Sequence, residues 1–232
     1  FGFYGMGLQG WDASLHFAGS NAWMESGWPG SGRGPSSYPN ETPLYMAQFP
    51  AIAYALYNGH IQEAGAAAAR RMSVDDLFRG VDPLSQDLPD GGFPGETNLY
   101  TPPAVTAIGR LSFKADDAYT SDDSEKVDWS AYWDQGTQVI NSMTGQLTWD
   151  YGNKVVQIKS PKTQGIVGFA GGNSYDLPGV QVDVTTDFVS LLFTPLDDQP
   201  LNESDHILIT ALAQDKQSGM EYNADGSQLE KL

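Results

Sequence analysis

The chain has 232 residues, 40% of them hydrophobic and 18% charged, which is a globular composition with enough apolar groups for a sizeable core. Its 29 acidic and 12 basic side chains leave a net charge of −17, a surface that repels phosphate backbones and anionic lipid headgroups. We therefore expect neither a nucleic-acid nor a membrane partner. Cysteine is absent, which rules out disulfides, thiolate metal sites and Cys nucleophilic catalysis.

The opening FYGMGLQGWDASLHFA reads as a short, apolar, Gly-interrupted strand feeding a loop. It carries no basic n-region, so the sequence is expected to begin inside a longer protein. A long aromatic loop follows, with Trp23, Trp28 and Tyr38. Thr42-Pro43 offers a helix start, and Tyr45, Met46, Phe49, Ile52, Ala53, Leu56 and Tyr57 recur at helical spacing. Pro50 is expected to kink this helix and Asn58-Gly59 to end it. The alanines predict a second helix from Ile61 to Met72, and Ser73 to Asp76 forms a capping box opening a short turn.

Residues 80–104 are a Pro/Gly-rich connector, and 116–125 form an acidic loop. From about residue 137 the pattern is β: KVVQIKS, GIVGFAGG, VQVDVTT, FVSLLFT and HILITALAQ are short β-branched runs between turn residues. Val180, Val182 and Val184 alternate onto one face, and TGQLTWD is a further strand whose Trp149 packs against the layer or the connector. HILITALA is apolar on both faces, as expected of a strand buried between layers. Regularly spaced runs of this kind predict an antiparallel sandwich. The fold class is thus mostly β, with an α/β segment at 1–79, a connector at 80–115 and a β-sandwich at 116–232.

Several stretches carry a resemblance. GLQGWDASLHFA with the helix PLYMAQFPAIAYALYNG resembles the final strand and helix of the (β/α)₈ barrel in clan A glycoside hydrolases, nearest to the β-galactosidase and agarase-like branches. TPPAVTAIGRLSF resembles the connector of those enzymes. SMTGQLTWDYGNKVVQIKSPKTQGIVGFAGG and LNESDHILITALAQDKQSGMEYN resemble the β-domain that follows it. The resemblance implies a retaining hydrolase of a polysaccharide or galactoside, in which two Glu carboxylates about 5–5.5 Å apart act as nucleophile and acid/base. In that family they end the fourth and seventh barrel strands, so this chain is expected to lack both and to have little or no activity alone. A secreted or periplasmic bacterial protein is the matching location. An incomplete barrel implies self-association through its exposed apolar faces.

The candidate sites follow from this. Trp11 and Asp12 pair an indole that stacks on a pyranose with a carboxylate that accepts sugar hydroxyls, at the end of a barrel strand. His16 and Phe17 could extend that cleft floor, and Trp23 and Trp28 could stack on further sugars from the loop. Each has a plainer reading as a packed or capping side chain. Glu25, Glu41, Glu63 and Glu96 show no spacing that fixes a new catalytic pair. The cluster Asp116, Asp117, Asp122, Asp123 and Glu125 could hold Ca²⁺, although it lacks the EF-hand order and reads first as a solvated loop. The rival function is a non-catalytic carbohydrate-binding module that stacks sugars on Trp129 and Trp133. A purely structural domain would bind no glycan.

Overall fold

The structure, a computed structural model, describes residues 2–14, 46–80, 101–120, 123–213, 221–222, 224 and 229–231. These residues are mostly β and fall into two units, each made of separated stretches of chain: 1–12 with 61–160, and 13–60 with 161–232.

The first unit opens with a correction. Phe3–Leu8, expected as a strand, is a π-helix closed by Gln9 N–H donating to Tyr4 O at 2.9 Å. A short apolar run does not distinguish strand from helix, and the spaced glycines let the helix pack tightly. A Cβ at Gly5 would stand 2.7 Å from Cε3 of Trp11, so only glycine lets that ring lie against the backbone. Gln9 then ties the helix down: its Nε2 donates to Thr106 O and Gly109 O, and its Oε1 accepts from Leu111 N–H.

The expected helix at Ile61–Met72 is also overturned. Ala66–Met72 is strand β1, paired in parallel with β2 (Arg110–Ala115) and antiparallel with β3 (Glu125–Lys126). Ala67, Ala68 and Ala69 are all buried, and helix propensity yields to their tertiary surroundings. A short 3₁₀ turn, Pro103–Ala107, precedes β2. The remaining strands form an antiparallel meander: β4 (Trp133–Asp134), β5 (Val139–Asn141), β6 (Leu147–Asp150) and β7 (Val155–Lys159). Ala67 of β1 and Ile140 of β5 meet Val105, Ala107 and Ile108 in one core cluster. The short helix α2 (Val74–Phe78) is capped as expected, Ser73 Oγ accepting from Asp76 N–H.

In the second unit α1 (Phe49–Tyr57) carries Pro50 in its first turn, where no hydrogen bond is lost, so Pro50 starts the helix and does not kink it. The helix ends at Asn58-Gly59, with Gly59 at φ 64. Strand β8 (Gln164–Gly168) pairs with β11 (Val189–Pro195), which pairs with β12 (Ile207–Leu212), all antiparallel. β9 (Asn173–Leu177) and β10 (Val180–Val184) form a hairpin in which Val182 and Val184 are buried while Gln181 and Asp183 are exposed. β13 (Glu221–Tyr222) pairs with β14 (Leu229–Lys231). The expectation for HILITALA fails here: β12 pairs with β11 alone among the described strands, and Ile209 is 60% exposed. Its two-sided apolarity does not produce two-sided burial. The helix start at Thr42-Pro43 and residues 81–100 of the connector lie outside the described residues.

Candidate functional site

Trp129 and Trp133 stand four residues apart in sequence, on the 3₁₀ turn and on β4, and open onto the same space. They line one open cleft of about 800 Å³ in the first unit, with Lys126, Asp128, Ser130, Asp134 and Gln135 around them. Local hydrogen bonds build the site. Asp128 caps the 3₁₀ turn Trp129–Ala131, its Oδ1 accepting from Ser130 N–H at 3.0 Å and Ser130 Oγ–H at 2.7 Å. Asp134, at the end of β4, accepts on Oδ1 from the N–H groups of Gly136 (2.8 Å) and Thr137 (3.0 Å).

These donors hold both carboxyls below the usual carboxylate range. The Ser130 hydroxyl has the larger effect on Asp128, and the Thr137 backbone N–H on Asp134. Both are anionic at neutral pH, and each is held in a fixed orientation.

The two indoles are fixed as well. Trp129 Nε1–H donates to Ala67 O at 3.0 Å, and Trp133 Nε1–H donates to Tyr151 OH at 3.1 Å. Both rings are half-buried, backed by the core cluster under β1 and β5. Lys126 Nζ stands 5.2 Å from the centre of the Trp129 ring, a cation–π contact. The chemistry on offer is therefore flat apolar faces, two acceptor carboxylates, an amide and one cation.

The other sequence candidates are dispersed. Trp11 is 47% exposed beside exposed Asp12, and neither lines this cleft. His16, Phe17, Trp23 and Trp28 lie outside the described residues, as do Glu25, Glu41 and Glu96. Glu63 pairs with Arg110 at 3.1 Å. In the acidic loop, Asp116 Oδ1 accepts from Ala118 N–H, and Asp123 Oδ2 accepts from the N–H and hydroxyl of Thr120. Among the described residues no group of three or more His, Asp and Glu side chains is placed to hold a metal. Nor is any described helix long and apolar enough to cross a membrane.

One constellation was not singled out from the sequence. His60, only 2% exposed, shares a 2.8 Å hydrogen bond between Nδ1 and Thr163 Oγ1. Its Nε2 has no hydrogen-bond partner and lies 3.9 Å from Asp198 Oδ1, which Lys162 also pairs. The order Thr–His–Asp imitates a nucleophilic triad, but the Thr163 side chain is fully buried and no substrate reaches it. Burial first, then the Lys162 charge, pushes the His60 pKa down, against a smaller upward pull from Asp198. The group is a neutral structural histidine.

No protein-family model, curated protein or solved structure matches this chain.

Proposed function

We propose that this chain is a non-catalytic carbohydrate-binding part of a glycan-degrading enzyme, and that the cleft at Trp129 and Trp133 is its sugar site. The observation that carries the reading is the convergence of these two half-buried indoles in one open cleft, rimmed by the oriented carboxylates of Asp128 and Asp134. An indole face matches the apolar face of a pyranose, and flanking carboxylates accept its hydroxyls. The resemblance to the tail of a clan A glycoside hydrolase names the kind of parent enzyme, one that is exported to its polysaccharide. In that parent, the exposed Trp11 beside Asp12 supplies a second, smaller contact near the substrate.

Affinity electrophoresis through gels containing agarose, unsubstituted xylan or laminarin tests the site. Retardation by at least one polysaccharide is expected, and it should fall about tenfold in apparent affinity in Trp129→Ala or Trp133→Ala. Trp129→Phe, which keeps a stacking face, should lose much less. Unretarded wild-type protein in all three gels refutes the reading. The chain should also release no reducing sugar from the same polysaccharides, since it is read as lacking the Glu pair.

A further inference from the structure

Beyond the cleft lining, the strand register carries the aromatic surface on from Trp133. In the meander, Trp133 of β4 lies opposite Ile140 of β5, which lies opposite Trp149 of β6. Directly opposed residues of an antiparallel ladder share a face, so these three form a row across the strands. Ile140 is buried and forms the floor of the row, with an indole on either side. Two interstrand spacings put the indoles roughly 10 Å apart, wider than one pyranose ring, so they would serve separate sugars. Tyr151 bridges them: its hydroxyl accepts from Trp133 Nε1–H, and its ring meets Trp149 edge-on at 5.9 Å between centroids.

Trp149 differs from the two cleft indoles in ways that point outward. It is 37% exposed and stands apart from the core cluster that backs Trp129, Trp133 and Tyr151. Trp129 and Trp133 spend their N–H groups on protein acceptors, whereas that of Trp149 meets none among the described residues. A large, exposed indole with a free donor beside other aromatic side chains has both a face and an N–H to offer a ligand.

We infer that the sugar site continues along this face of the meander, with Trp149 as a second platform and Tyr151 between the two, so that it holds several consecutive units of a linear, uncharged polysaccharide. This rests on reading the Trp129–Trp133 cleft as a sugar site. The charge of the occupant follows from the rim and the whole chain. Two oriented carboxylates face one lysine in the cleft, and the molecule carries −17 overall, so a polyuronate or sulfated chain is repelled.

The test is calorimetric titration of the full chain with oligosaccharides of two to six units cut from the polysaccharide that retards it, with alginate as a charged comparison. For wild type, affinity should rise about tenfold from the disaccharide to the longer oligomers, and alginate should not bind. Trp149→Ala should abolish that rise while leaving disaccharide binding unchanged. Trp149→Phe should keep most of the rise, which separates a lost platform from a disturbed fold. If Trp133→Ala weakens all lengths but Trp149→Ala leaves the length dependence intact, the extended track is wrong and the cleft reading stands. If wild type binds every length equally, or prefers alginate, the track is likewise overturned. If no oligosaccharide binds at all, the cleft reading itself falls and this inference with it.

Discussion

At the scale of single residues, two side chains carry more of the structure than their types announce. Gln9 makes three hydrogen bonds to backbone groups about a hundred positions away, at Thr106, Gly109 and Leu111. Gln9→Ala should lower stability by about 2 kcal/mol, allowing for partial rescue by water at this half-buried site, as read by urea unfolding. His60 makes stability depend on pH. Its folded pKa lies below the ordinary value of about 6.5, so the unfolded chain takes up a proton that the folded chain resists. That stability is fully present above the ordinary histidine range and is lost as pH falls from there toward the folded pKa. Unfolding curves should therefore show a less stable protein at pH 5.5 than at pH 7.5, and His60→Gln should narrow the gap. Neither residue was legible beforehand. A glutamine in a Gly-rich run and a histidine after Asn-Gly have no pattern of their own, and their partners are distant in sequence.

Among the elements, legibility followed how local the deciding physics is. β6, β7, β8, β10, β11 and β12 alternate or carry β-branched runs between turn residues and stand where the pattern places them, whereas β9, the polar NSYDL, has no such pattern. Ser73, with Asp76 three residues on, announced α2. Ala66–Met72 carries a helical composition but is a strand, because alanine's helix preference is a weak bias, overridden when strands on both sides complete a sheet. The candidate site was half legible. Trp129 and Trp133 are candidate stackers by sequence and share a cleft, but that Trp149 stands in register with Trp133 through Ile140 is not visible in sequence spacing, which does not show which strands stand side by side. Two element-level outcomes are expected. Ser73→Ala should cost about 1 kcal/mol of stability, measured by thermal unfolding. Ile209→Lys, on the solvent face of β12, should change stability by less than about 0.5 kcal/mol while reducing any self-association seen by light scattering.

For the whole molecule, the excess of acid dominates. With 29 acidic against 12 basic side chains, folding gathers repelling charge, and screening should relieve it. The melting temperature should rise between 50 and 500 mM NaCl, a range given by about a threefold shorter screening length; an unchanged or falling value would show that the carboxylates are offset locally. The division into two interleaved units has a temporal side. A ribosome delivers the chain from its N-terminus, so everything the first unit needs has emerged once residue 160 is out. Helix α1 is made far earlier but belongs with strands that lie beyond that point. At about 5–20 residues per second the roughly 70 residues that complete the second unit take on the order of ten seconds. During that interval the helix, whose Ala51 and Ala55 end fully buried, still lacks strand β11, which it contacts in the fold.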